Sequence, residues 1–137
     1  MRILKKVLTA LLLVVMLSSA GVVKKKDTAV YLYGVSSSFS DTVVYFTEIQ
    51  QLDIELAKGG VLPEMHNYSS QLENYIGVMK DKPHQTAATF YSTKKNSLEK
   101  ERTKLYNRYK KKMRHSVVFL SSEDFTYQAV ISDENQD

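Results

Sequence analysis

A chain of 137 residues with 43% hydrophobic content and 25% charged residues suits one domain whose core buries roughly two thirds of the unfolded surface. It holds no cysteine, which excludes disulfide closure and a lipid anchor on a thiol. The 19 basic and 15 acidic residues give a formal charge of +4, but the excess is unevenly placed, and its placement decides which partners it implies.

Arg2, Lys5 and Lys6 precede an uncharged run over 7–20 that is rich in Leu and Val. Ser18 and Ala20 then supply small residues for a cut after Ala20, which is the layout of a secretory signal peptide. Residues 1–20 are therefore expected to be cleaved, leaving the protein in the periplasm or secreted. The alternative is an uncleaved inner-membrane anchor reaching Val23, at the lower length limit of a spanning helix. Without residues 1–20 the balance falls to 16 basic against 15 acidic residues, whereas residues 94–114 alone hold ten basic and two acidic ones. The exported chain is thus almost neutral and strongly polarised, a state that orients partners through its field rather than its net charge. The overall pI near 9.2 is accordingly no sign of a nucleic-acid partner.

After a flexible arm over 21–27, "TAVYLYGV" at 28–35 alternates with period two in Tyr and Val and predicts a strand. "SSSFSD" breaks it, and "TVVYFT" at 42–47 predicts a second strand paired with the first as a hairpin. Ile49, Leu52 and Leu56 recur at helical spacing before Gly59 and Gly60, so 48–60 reads as a helix. Leu72, Tyr75, Ile76 and Met79 form the stripe of a second helix at 70–80, with Ser69 or Ser70 as cap and Pro83 as terminator. Gly77 inside it costs about 1 kcal/mol relative to alanine.

"TAATFYS" at 86–92 predicts a third strand. A basic helix follows over 96–113, opened by an Asn96 and Glu99 capping box and carrying a stripe of Leu98, Leu105, Tyr109 and Met113 with Tyr106 beside it. "SVVFLS" at 116–121 is a fourth strand, "FTYQAVI" at 125–131 a possible fifth, and 132–137 an acidic tail. The expectation is a single α+β domain over 28–131, a two-layer sandwich of a mixed sheet of four or five strands with two or three helices.

The side chains point to no catalytic, cofactor or metal chemistry. "GVSSSFSD" lacks the second glycine of a nucleophile elbow, and its serines suit backbone turns. His66, His84 and His115 lie far apart, without the spacing of a metal motif. Carboxylates at Glu48, Asp53, Glu55 and Glu73 show no acid–base pairing. The basic helix is the one distinctive feature, with Lys100, Lys104, Arg108 and Lys111 as candidate contacts to an anionic surface. Its tyrosines share the core-facing stripe, which argues against base stacking and hence against nucleic acid.

The expected function is therefore non-enzymatic binding in the bacterial cell envelope, to an envelope protein or an anionic envelope polymer. Membrane contact is expected only through the N-terminal segment and only if it is left uncleaved, and no pattern assigns an oligomeric state. The alternative is a small exported hydrolase whose site is assembled from distant residues, such as His66 or His115 beside Glu48 or Glu73.

"YGVSSSFSDTVVYFTEIQQLD", "YSSQLENYI" and "EKERTKLYNRYKKK" together resemble an uncharacterised family of small signal-peptide-bearing proteins from gut bacteria. That resemblance implies export and a single domain, with no activity attached. It also makes "DTA" and "DTV" look like the Asp-Thr-apolar acceptors of O-glycosylation in such bacteria, at Thr28 and Thr42. "TAATFYSTKKNSLEKERTKLYNRY" with "SVVFLS" is similar to half of a sporulation-related repeat domain, a βαβ-based fold that binds peptidoglycan.

Overall fold

Strand β1, Thr28–Ser37, organises the protein because both of its edges are paired. The structure is a computed structural model and describes residues 27–131. The expected signal peptide, most of the arm and the acidic tail lie outside the described residues. Tyr31 and Leu32 pair at once with β3, Gln50–Ile54, and with β4, Thr86–Ser92. Val35 and Ser36 pair at once with β2, Val43–Thr47, and with β4. A residue has only two edges, so β4 occupies one side of β1 while β2 and β3 lie end to end along the other. All these pairings are antiparallel; β5, Ser116–Leu120, joins β2 in parallel.

The break between β2 and β3 falls at Glu48 and Ile49. There the fully buried Thr47 hydroxyl accepts the Gly34 N–H at 2.9 Å and donates to the Glu48 carbonyl at 2.9 Å. A side chain thereby supplies hydrogen bonds where the ladder is interrupted, as a buried backbone requires.

The alternation in β1 sends Val30 and Leu32 to one face and Tyr31, Tyr33 and Val35 to the other, and each set belongs to a separate hydrophobic cluster. Helix α1, Met65–Met79, covers the first face with Tyr68, Leu72 and Ile76. Helix α2, Lys95–Asn107, covers the second with Leu98 and, less completely, Leu105 and Tyr106. The fold is an α+β sandwich with a five-stranded mixed sheet and two helices, as its sequence predicts, and the helices sit on opposite faces rather than sharing one layer.

Gly34 faces α1 at the tightest point of the first core. A Cβ there would stand 2.1 Å from the Tyr127 hydroxyl and 2.5 Å from Leu72 Cδ2, so only glycine fits. Gly77 is different: its Cβ would meet nothing nearer than Pro83 Cα at 4.0 Å, so no close approach demands it.

Four local expectations are corrected. The segment 48–60 contains β3 instead of a helix: Gln50, Leu52 and Ile54 also recur with period two, and their cross-strand partners Leu32, Val30 and Thr28 settle the choice. Helix α1 starts at Met65 behind Glu64 in a left-handed conformation, which places Ser69 and Ser70 inside it, not at its cap. Helix α2 starts at Lys95 without a side-chain cap, so Asn96 and Glu99 form no capping box; the Lys94 N–H is instead accepted by Ser92 Oγ at 3.0 Å.

The fourth concerns 125–131, which forms no strand. Phe125 and Tyr127 point inward as the alternation suggests, but glutamine side chains take the place of a partner strand. Gln50 donates to the Phe125 carbonyl and accepts the Tyr127 N–H, both at 2.8 Å. Gln71 on α1 does the same for both backbone groups of Gln128, at 2.9 and 2.8 Å. The Tyr68 hydroxyl receives the Val130 N–H at 3.0 Å. The segment is a strap across the first face.

Candidate ligand groove and basic face

Helix α2 continues through a π-helical turn, Arg108–Lys112, closed by the Met113 N–H to the Arg108 carbonyl at 3.1 Å. Arg114, at φ 53°, ends it in a left-handed conformation. Tyr109, inside this turn, packs edge-on against Phe46 with ring centres 5.9 Å apart and against His115 at 5.6 Å. Lys94, Lys95, Lys100, Lys104, Arg108, Lys110, Lys111, Lys112 and Arg114 are all exposed. Among the described residues none of these nine has an acidic partner within ion-pair distance.

Arg102 departs from the solvated role its neighbours share. It is half-buried, donates from Nε to the Thr47 carbonyl at 3.0 Å, and lays its guanidinium near three rings: Phe119 at 5.3 Å, Phe46 at 5.8 Å and Tyr33 at 6.0 Å. Burial pulls the guanidinium below its ordinary value, yet the group stays cationic. Burial also pushes the Tyr33 phenol up to about 12, with Glu101 adding to the effect and Arg102 opposing it. Arg102 is thus a structural cation on aromatic faces. A run of basic letters carries no sign that one of them turns inward.

Because α2 lies over β1 and β2, it leaves the outer part of the second face open. Val35, Ala88 and Phe90 form the floor of the resulting cavity, while Leu105, Tyr109 and Met113 form one wall. Phe39, fully exposed at the tip of the β1–β2 loop, and the two histidines His84 and His115 border its far end. Its volume is ≈ 480 Å³, within the range of small-molecule sites. A second cavity of ≈ 240 Å³, bordered by Tyr33, Glu101, Lys104 and Arg108, shares Phe90 and Leu105 with the first. The two make one groove along α2, apolar in the middle and cationic at the end where Lys104 and Arg108 stand.

Of the four candidate contacts in the basic helix, the groove thus takes in Lys104 and Arg108, while Lys100 and Lys111 stand exposed outside its lining. Tyr109 lines the groove and so is not wholly absorbed by the core. Phe39 falls in the serine tract, His84 among the scattered histidines, and Ala88 and Phe90 in the strand expected at 86–92, but no pattern in the sequence marks any of them as lining a groove; a lone phenylalanine in a serine-rich turn is the one available hint.

The residues named for an assembled hydrolytic site stay apart in their contacts. His66 lies beside Glu64 at 3.6 Å, His115 Nδ1 is 3.1 Å from the Met113 carbonyl, Glu48 accepts the Ser122 N–H, and Glu73 accepts the Ala87 N–H. The serine tract does perform turn chemistry: Ser38 Oγ accepts the Ser40 N–H, and Asp41 Oδ1 accepts the Val43 N–H. Lys82 pairs with Asp41, which holds the Asp41 carboxyl below the usual carboxylate range and raises the lysine. Thr28 and Thr42 are both exposed, Thr28 as the first residue of β1 and Thr42 in the bend before β2. No group of three or more His, Asp or Glu side chains among the described residues is arranged to hold a metal ion. No helix among them is long and apolar enough to cross a membrane.

Comparison with protein-family models, curated proteins and solved structures finds no match to this chain.

Proposed function

We propose that the protein is an exported, non-enzymatic binding domain of the bacterial cell envelope, and that the exposed face of α2 and its π-helical turn contacts an anionic partner. The observation that carries this reading is the segregation of charge on one element. Among the described residues nine exposed cations have no acidic partner within ion-pair distance, while Arg102, the basic residue used by the core, is turned inward. Unpaired like charges on one helix repel one another, so an anionic partner gains from every one of them. Replacing Lys104, Arg108 and Lys111 together by glutamate is expected to weaken association with envelope material and to flatten its salt dependence. Unchanged association overturns the assignment of this face.

Two covalent features belong to the same proposal: cleavage after Ala20 and a glycan on Thr42, which the exposed bend supports better than the strand position of Thr28. The intact mass of protein from its native host tests both. A mass equal to residues 21–137 alone leaves the cleavage standing and removes the glycan.

A further inference from the structure

The groove along α2 combines two features that seldom occur together by accident. Its centre is a cavity with an apolar floor and wall, and its narrow end is open to two cations with a single carboxylate, Glu101, between them and the helix start. Apolar cavities are filled because contact surface leaves water, and this one has no side chain of its own inside it. Phe39 stands fully exposed at the opposite rim, where a bound apolar body would give it something to cover.

We propose that this groove binds an amphiphilic organic anion, with an extended apolar chain lying between Ala88 and Tyr109 and a carboxylate held by Lys104 and Arg108. The proposal rests on the reading of α2 as an anion-contacting face and adds an apolar requirement to it. Glu101 sets the polarity: a cationic head would meet two like charges for one opposite charge, whereas a carboxylate meets the reverse. The serine and histidine side chains at the Phe39 end are neutral or basic, so neither end favours a cation.

The test uses dodecanoate as probe, dodecanol as its uncharged equivalent, and the unaltered chain. Titration is expected to show saturable binding of one dodecanoate, and binding of dodecanol about tenfold or more weaker, the loss expected for two contacts to a carboxylate. Ala88→Phe fills the floor from an exposed strand position without touching the charges. It is expected to abolish dodecanoate binding while leaving the salt-dependent association with envelope material intact. That separation distinguishes failure of the groove from failure of the basic face. Equal affinity for acid and alcohol, dodecanoate binding that survives Ala88→Phe, or no saturable binding at all overturns the proposal. So does protection of the β4 backbone amides by an acidic peptide that dodecanoate cannot displace, which would make the groove a peptide site.

Discussion

The two faces of the sheet are built from the same strands and are covered in opposite ways. On the α1 face the core is closed: Tyr68, Leu72 and Ile76 are fully buried, the strap lays Phe125 and Tyr127 over the remainder, and Gly34 makes room for the Tyr127 ring. The α2 face is only partly closed. Leu98 is its one fully buried helix residue, Arg102 occupies what another protein would fill with an aliphatic side chain, and a groove remains beside β4. A domain stabilised mainly by one face can leave the other adapted for contact, because the tightly packed side already buries enough apolar surface.

Perturbing the closed face should therefore produce the larger losses. Gly34→Ala is expected to cost about 1–3 kcal/mol, the usual range for overpacking, because the added methyl group would collide with the Tyr127 hydroxyl and Leu72. Burial pushes the Tyr127 phenol up and the nearby Thr89 side chain offsets part of the effect, although the Thr89 hydroxyl makes its own hydrogen bond to Ser69 and leaves the Tyr127 hydroxyl without a well-aligned partner. Urea denaturation reads the cost. A stability unchanged in Gly34→Ala would mean that the face is looser than its contacts indicate.

The strap gives an internal comparison on the same face. Gln50 and Gln71 each bind two backbone groups in the same pattern, but the bonds made by Gln50 are buried and those of Gln71 are exposed. Gln50→Ala leaves buried groups unsatisfied and is expected to cost about 2 kcal/mol, against about 0.5 kcal/mol for Gln71→Ala, where water replaces the amide. Hydrogen exchange at Tyr127 and Gln128 separates the two. Equal losses would remove burial as the cause.

On the open face, Arg102→Met should lose about 1 kcal/mol through its bond to Thr47 and its ring contacts, partly recovered by apolar packing. It should also weaken dodecanoate binding by a few-fold, because Arg102 does not line the groove itself but packs near Tyr33, which does, and helps to anchor α2. A thermal melt and one titration check both.

The smallest effect expected is that of Asp41 and Lys82, which tie the loop carrying Phe39 to the turn before β4. A carboxyl held below its ordinary value contributes stability that is present above the usual carboxylate range and lost as pH falls through its folded value. The raised lysine contributes in the opposite window, present below its ordinary range and lost as pH rises through its folded value. Asp41→Asn should therefore flatten the acid limb of stability slightly, measured as the midpoint of unfolding against pH; both side chains are partly open to solvent, so screening keeps the change small.

Much of this architecture was legible in the chain. Period two in 28–35 and the short β-rich runs at 86–92 and 116–121 specified strands, and the apolar stripes of α1 and α2 specified helices, because those patterns reflect backbone geometry that holds wherever the element sits. Charge polarity was equally legible, since it needs only counting. Segments 48–60 and 125–131 were misread for a shared reason. Ile49, Leu52 and Leu56 fit a helix as well as Gln50, Leu52 and Ile54 fit a strand, and only the pairing with Thr28, Val30 and Leu32 decides between them. Phe125 and Tyr127 alternate like a strand, but whether a ladder forms depends on an open edge, and glutamine side chains filled that role instead.

The groove was the least legible feature, for a physical reason. Ala88, Phe90, Tyr109 and Phe39 come from three separate segments, and nothing in any one of them states how far α2 stands from β4. That distance is set by where α2 anchors, through Leu98 and Arg102 over β1 and β2, which leaves the flank of β4 uncovered. By itself the sequence determined most of the elements, with 48–60 and 125–131 the exceptions, and that one helix carries the positive charge. Tertiary packing decided that one basic residue is structural, that the two faces differ in closure, and that the charged helix borders an apolar cavity, because each of these depends on distances between residues that no local pattern encodes.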